Sequence, residues 1–403
     1  MDAGRDLLFA GRFFAFLPSP GGTPVSQFRE CLSLLRSRLR ASGLTDRDIL
    51  RLTFFLDATD ARTYARYKKR FMAGLVDSFG SLPPPASFVA QPPEKGRRVA
   101  LEAAVLPSRA AGVRVQRKRL DGLIYTVVTG ADFREVHGAG IAADKLTGST
   151  STQAKEAFER MKAVLRRERL TFGNVVRQWN YVGGIVDVRT GRGRTCQNYQ
   201  AFNDVRTLFY GSSEFASGYP AATGIGQAAG GVILEFTALD AATDVRIVPL
   251  SNPRQVDAHR YSGGVLVGEP IEEISEKTSP KFERAKVVAR GTAGIVFVSG
   301  TAAVLGQKSA GRRDVEAQTR IAAENISTLA GRKNLRRAGL TLPPDTGVLS
   351  YLRAYVKRTA DIPKVRRICE RTLGPIPALY VRADICRPEL LVELEGIRLT
   401  ETR

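Results

Sequence analysis

The chain has 403 residues, more than one ordinary small domain needs and enough for two or three, with 43% hydrophobic residues to build their cores. Its formal charge of +21 favours anionic partners, whether nucleic acid, acidic lipid or small anionic substrates. Four cysteines without CxxC spacing (Cys31, Cys196, Cys369, Cys386) and two histidines (His137, His259) argue against a zinc site, a redox motif or a histidine-rich metal site. Taken in order, an apolar strand over 7–16 leads into the turn signal Pro18-Ser-Pro-Gly-Gly22. Helical spacing over 25–39 puts Phe28, Cys31, Leu32, Leu35 and Leu39 on one face, and Gly43 is the expected stop. A strand over 50–56 follows, then a helix over 58–79 with Tyr64, Tyr67, Phe71 and Leu75 inward. The proline run at 83–85 breaks it, and a strand pair closes at Val105.

The same order returns twice. A strand over 135–141, a helix over 153–165, a strand ending at Tyr181, a helix over 197–210 and a closing strand pair over 219–236 make a second copy. A strand over 294–304, a helix over 314–329, a strand over 349–356, a helix over 362–373 and a closing pair over 377–394 make a third. In each copy a Pro-Ala dipeptide, at Pro85, Pro220 and Pro377, precedes an apolar run that carries a glutamate: Glu102, Glu235 and Glu393. Matching punctuation three times argues for tandem copies of one α+β module. Each module would be a mixed sheet covered on one face by two helices, and the bare faces need partners. Three copies in one chain can pack those faces together around a pseudo-threefold axis, as a monomer that is internally a trimer, with clefts between modules. The expected divisions are 1–107, 108–240, a connecting segment over 241–290 that holds Asn252-Pro-Arg-Gln-Val256, and 291–403.

The final strand carries the most suggestive chemistry. Glu393 lies inside the apolar run 390–394, and Arg382, Cys386 and Arg387 lie just upstream. A carboxyl buried there needs a partner or a raised pKa, and beside arginines and a thiol it is a candidate general acid. The bland alternative is a strand-edge carboxylate in water.

Ser299-Gly-Thr-Ala302, Gln318, Asn325-Ile326 and the Pro-Ala to Glu393 ending resemble the Rid/YjgF family, whose members are homotrimers with ligand sites at subunit clefts. Imine-hydrolysing members carry an arginine two residues after the proline of that dipeptide; Ser87, Ala222 and Leu379 stand there in this chain. A closer resemblance covers about 130–403. Trp179-Asn-Tyr181, Tyr199-Gln-Ala-Phe202-Asn203, Arg206, Asn252-Pro-Arg-Gln-Val256, Tyr261, Ser279-Pro280, Phe282, Arg284-Ala285, Ser299-Gly-Thr-Ala302 and Ala383-Asp-Ile-Cys-Arg387 to Glu393 are similar to the chorismatase family. That resemblance implies conversion of chorismate with loss of pyruvate, without metal or cofactor. It implies that Glu393 protonates the enolpyruvyl methylene and that Cys386 stands where members forming 3-hydroxybenzoate carry a cysteine. Tyr199, Arg206, Tyr261, Arg353 and Arg382 would serve the substrate cleft. The chain departs from the family at Asn198, where members carry an arginine. Chorismate is a dianion, so arginines in a cleft suit its carboxylates.

The competing readings are a Rid-type imine or enamine hydrolase, a non-catalytic small-molecule binder, and a nucleic-acid-binding protein. No basic stripe interleaved with aromatics is visible, which ranks nucleic acid last. No apolar run approaches the length of a membrane span and no signal pattern opens the chain, so a soluble cytoplasmic protein is expected.

Overall fold

The computed structural model describes residues 11–108, 112–191, 194–211, 213–341 and 348–400; the start of the first expected strand, 7–10, lies outside them. The chain opens with β1 (Arg12–Phe16), α1 (Pro24–Ala41), β2 (Ile49–Leu56), α2 (Ala61–Phe79), β3 (Ala86–Val89) and β4 (Val99–Val105). After β5 (Arg114–Leu120) and β6 (Leu123–Thr129) come β7 (Phe133–Ala142), α3 (Thr150–Arg167), β8 (Val175–Gly183), β9 (Val188–Gly191), β10 (Arg194–Gln197), α4 (Asn198–Tyr210), β11 (Ala221–Gln227) and β12 (Val232–Ala241). Next are β13 (Arg246–Leu250), β14 (Ala285–Arg290), β15 (Ala293–Ala302), β16 (Val304–Leu305), β17 (Lys308–Ser309), α5 (Val315–Leu329) and α6 (Arg332–Arg337). The described chain ends with β18 (Tyr351–Val356), α7 (Ile362–Leu373), β19 (Ala378–Arg382) and β20 (Val392–Thr400).

Three mixed sheets result, and one strand order recurs in them: β1-β4-β2-β3, β7-β12-β8-β11 and β15-β20-β18-β19. In each, the last two strands of the order run parallel and the others antiparallel. A parallel pair needs a crossover, and α2, α4 and α7 supply it. The second and third sheets are wider because β5-β6 and β13-β14 extend them. The segment expected as a mere connection over 241–290 thus contributes β13 and β14 to the third sheet. The β5-β6 hairpin turns at Asp121 and Gly122, both with positive φ (46° and 79°). An Asp-Gly pair is the residue choice such a turn demands.

Local chemistry sets the helix boundaries. The Thr23 hydroxyl accepts from the Ser26 amide at 3.1 Å and Pro24 opens α1. Asp60 caps α2 by accepting from the Thr63 amide at 2.8 Å. The helix therefore starts at Ala61 and not at Ala58, which is buried beyond the end of β2. Helices α1 and α7 bury one face each, with Phe28, Leu32 and Leu35 on α1 and Val365, Ile368 and Cys369 on α7, whereas α4 is buried all round over Asn198–Arg206. A fourth apolar cluster joins the sheets, with Leu50, Val176, Val288 and Phe297 in contact.

At the centre, where the sheets face each other, lies a buried ionic network. Arg51 on β2 pairs with Glu235 on β12 at 3.0 Å, Arg177 on β8 with Glu395 on β20 at 2.6 Å, and Arg353 on β18 with Glu102 on β4 at 2.6 Å. Each pair links two different sheets. The Arg51 and Arg177 guanidiniums lie over the Trp179 ring at 4.1 and 4.5 Å, and the Trp179 indole N–H donates to Glu395 at 2.9 Å. Three cations balance three carboxylates, which makes burial of six charges tolerable. Trp179 is thus a structural keystone and not a free binding surface.

The register corrects the reading of the repeat. Glu102 lies opposite Thr53, Glu235 opposite Trp179 and Glu395 opposite Arg353. Glu393 lies opposite Tyr355, the place that Ala100 holds opposite Phe55 and Ile233 opposite Tyr181. The recurring glutamates are therefore Glu102, Glu235 and Glu395. Glu393 is an addition peculiar to the third sheet. The apolar run misassigned it because the run's end holds two glutamates, Glu393 and Glu395, and only the strand register shows which of them recurs.

Candidate functional site

Glu393 projects from β20 into a cleft between the second and third sheets. Tyr199 from α4, Gly224 from β11, Gly300 from β15, and Cys386 and Arg387 from the turn before β20 line it. A strap over 251–284 closes it and supplies Gln255, Tyr261, Phe282 and Arg284. The strap has little regular structure and is pinned at both sides. Asn252 donates to the Asn325 carbonyl at 2.9 Å and Gln255 to the Val304 carbonyl at 3.1 Å, holding it to the third sheet's layer. The Ile271 amide and Thr278 hydroxyl donate to Asp204 on α4 at 3.1 and 2.7 Å, holding it to the second.

Burial dominates the electrostatics. It pushes the Glu393 carboxyl up to about 8, and the neighbouring Glu395 charge adds to the rise while Arg177 and Arg284 oppose it. Among the described residues no cation forms an ion pair with Glu393. At neutral pH its acid form predominates. Burial, then the nearby Glu393, pushes the half-buried Cys386 thiol up to about 12, so it remains S–H. Burial likewise raises the Tyr199 phenol, with Cys386 next in effect. Room for the carboxyl depends on Gly300, where a Cβ would lie 2.1 Å from Glu393 Oε1.

The cations sit on the strap side. Arg284 donates to the Val256 carbonyl and the Tyr261 hydroxyl, and its buried Nε has no partner among the described residues. Its guanidinium lies over the Tyr261 ring at 5.3 Å, and that of Arg387 over the same ring at 5.6 Å. Arg387 is held by the Gln307 carbonyl at 3.0 Å and the Ser309 hydroxyl at 3.1 Å. Arg206 is one layer back: it donates to Asn203, whose amide donates to the Tyr199 carbonyl at 2.7 Å, and its guanidinium lies 6.0 Å from the Phe282 ring centre.

The cleft thus brings together Glu393, Cys386, Tyr199 and Tyr261, with Arg206 behind them. It does not include Arg353, which is consumed by the central network, or Arg382 at the end of β19. Arg284, Arg387, Gln255 and Phe282 line it without having been singled out as site residues. The available signals were the position of Arg387 next to Cys386 and of Arg284 and Phe282 in the strap's motif. Asn198, in the place of the family arginine, donates its side-chain amide to the Gly183 and Gly184 carbonyls at 3.2 and 2.9 Å and so fastens the start of α4. Among the described residues no group of three or more His, Cys, Asp or Glu side chains is placed to hold a metal ion, and no helix is long and apolar enough to cross a membrane.

A neutral carboxylic acid beside partly unsatisfied arginines, in a closed cleft, can donate a proton to an anionic substrate that the arginines hold. The sequence model of the chorismatase FkbO/Hyg5-like N-terminal family matches residues 118–238. A 3-hydroxybenzoate synthase of Streptomyces hygroscopicus is 33% identical over 258 residues, 62% of this chain and 70% of that protein. A chorismatase of the same organism is 32% identical over 226 residues, 55% of this chain and 61% of that protein. A chorismatase crystal structure superposes with a TM-score of 0.66 at 22% identity, over 96% of this chain and 98% of that one, and so shares the fold. On the strength of the 3-hydroxybenzoate synthase alignment in particular, the chain belongs to the chorismatase family.

Proposed function

We propose that this chain converts chorismate to pyruvate and a ring acid, with Glu393 as the proton donor. The observation that carries this reading is the buried Glu393 carboxyl, held in its acid form and facing a cleft that Arg284 and Arg387 line. The two carboxylates of chorismate match those cations, and the strap excludes water from most of the bound ring. Glu393 gives its proton to the enolpyruvyl methylene, forming a C–H bond and an oxocarbenium carbon. Water or a ring hydroxyl adds to that carbon, its proton returning to the Glu393 carboxylate. After attack by water, the bond between this carbon and the ether oxygen breaks, the hemiketal proton passes to the ring oxygen, and pyruvate and a dihydroxycyclohexadiene carboxylate result. After attack by the ring hydroxyl, the bond to the ether oxygen breaks and so does the bond between the ring and the former hydroxyl oxygen, which departs as the ketone oxygen of pyruvate. A ring C–H proton is lost as the ring becomes aromatic, the oxygen left on the ring takes up a proton, and chorismate divides into pyruvate and a hydroxybenzoate without net uptake of water.

Cys386, kept as S–H, acts on how the intermediate partitions. Tyr199, Tyr261 and Arg284 position the substrate, and Arg206 fixes Tyr199 through Asn203. The test is incubation of purified, chelator-treated protein with chorismate, followed by assay of pyruvate and ring acids. Pyruvate release that Glu393→Gln abolishes supports the reading; no pyruvate from the wild-type chain removes it. Cys386→Ala should change the ratio of ring acids more than the rate of pyruvate release.

We further read the three sheets with their helices as tandem modules of the Rid/YjgF type, closed around an approximate threefold axis within one chain. The recurring strand order and the three inter-sheet ion pairs support this.

A further inference from the structure

A second cleft lies between the first and second sheets, at the place that corresponds to the candidate active site between the second and third. The local frame is the same. The Gly140 amide donates to the Ser87 hydroxyl at 2.7 Å in one, and the Gly300 amide donates to the Thr223 hydroxyl at 3.0 Å in the other. A tyrosine from the crossover helix stands at each, Tyr64 here and Tyr199 there. Ile233 takes the register position of Glu393. The second cleft therefore lacks the acid, yet it is open, with a volume of about 230 Å³.

Its chemistry is specific. Met72, Phe88, Leu123 and Ile233 give it apolar walls, and Lys68 and Arg160 give it two cations. Arg160 is committed to Asp144, which also lines the cleft, and reaches the Asp121 carbonyl at 3.3 Å. Lys68 makes no hydrogen bond and no ion pair within bonding distance among the described residues. Burial, and then the neighbouring Arg160, lower its pKa, and Asp144 opposes them only in part. With Arg160 matched by Asp144, one positive charge is left over. A monoanion satisfies it; a dianion would meet the Asp144 carboxylate. The volume falls below the roughly 300 Å³ at which pockets for drug-sized molecules begin, so the space suits a single ring.

We propose that this cleft is a non-catalytic binding site for a small monocarboxylate with a flat apolar ring, the carboxylate paired with Lys68 and the ring set between Phe88, Met72 and Ile233. The inference rests on this cleft alone and does not require the proposed reaction.

The test uses benzoate as the probe and neutral benzamide as its control, with the full chain. Calorimetry gives affinity, and methyl NMR of Met72 and Ile233 reports the location. Benzoate should shift both methyl signals in the wild-type chain and in Arg284→Gln, whose change lies in the other cleft. Lys68→Gln should weaken that event by about tenfold or more, the usual worth of a hydrogen bond to a charged group, and should leave benzamide unaffected. The proposal is overturned if millimolar benzoate leaves the Met72 and Ile233 signals in place, or if Lys68→Gln binds benzoate as tightly as the wild type. Absence of chorismate turnover would bear on the proposed function and not on this outcome.

Discussion

Glu393 and Glu395 stand two residues apart on the same face of β20, in opposite electrostatic settings. Glu395 accepts from Arg177 at 2.6 Å and lies 3.0 Å from Arg353. Glu393 has burial and a neighbouring negative charge instead. Its folded pKa of about 8 exceeds the ordinary carboxylate value of about 4.3, so between those values the unfolded chain releases a proton that the folded chain keeps. The stability that the neutral carboxyl allows is full below the ordinary range and is lost as pH rises toward 8. Glu393→Gln removes that loss. It should raise stability at pH 8 relative to wild type, with an upper bound on the order of a few kcal/mol, and the gain should shrink toward pH 4. Denaturant unfolding at several pH values checks this. The same variant should lower chorismate turnover by roughly 10² to 10⁴, and wild-type kcat/KM should decline above pH 8. Gly300→Ala should also cut turnover, because its Cβ would collide with the Glu393 carboxyl; a circular dichroism spectrum like wild type would separate this from unfolding. At this scale the sequence made Glu393 and Cys386 conspicuous, since a carboxyl in an apolar run is expensive. It could not separate Arg353 from Arg284. Both are arginines in apolar surroundings, and only the register shows which one faces a carboxylate in the centre.

At the scale of elements, β20 ties the site to the ionic core. Arg177→Met leaves Glu395 buried with less compensation, and breaking such a buried pair costs about 3–5 kcal/mol. Removing both charges in Arg177→Met with Glu395→Leu should recover much of that, which urea titration of the single and double variants would measure. The longer helices were legible because apolar spacing is a local property, whereas the short α6, with only Asn334 and Leu335 buried, went unread. The charged strand β5, Arg-Val-Gln-Arg-Lys-Arg-Leu, has no apolar alternation to betray it, although the Asp-Gly turn that follows was a usable sign. β13 and β14 were hidden differently: they are joined by the strap, and nothing in their spacing announces that two strands so far apart in sequence will pair. The strap itself owes its course to side-chain hydrogen bonds from Asn252, Gln255 and Thr278, contacts whose partners only the folded chain brings near.

For the whole molecule, a net charge of +21 should draw a dianionic substrate toward the cleft. Wild-type kcat/KM for chorismate should fall as ionic strength rises, while kcat changes little, because screening acts on encounter and not on the buried proton transfer. Stopped-flow or initial-rate measurements across a salt series would check it; a flat response would show that steering plays no part. Solution scattering should give the profile of one compact particle, since the three inter-sheet ion pairs hold the units face to face. The repeat itself was readable from the recurring order of elements, a property of pattern. Its register was not, because Glu393 and Glu395 lie in one stretch of sequence and only the pairing of strands tells them apart.

The placement of Glu393, Ile233 and Ala100 at one register has a further consequence. In an assembly of identical subunits, any residue chosen for one cleft is imposed on every cleft, and a strained acid is suffered as many times as there are copies. On the proposed reading of the three sheets as tandem modules, covalent linkage lifts that constraint. Here the position is an acid in one unit, a branched hydrocarbon in the next and a bare methyl in the first. Two of the three positions carry no ionisable group, and the burden of a carboxyl that resists ionisation is confined to one.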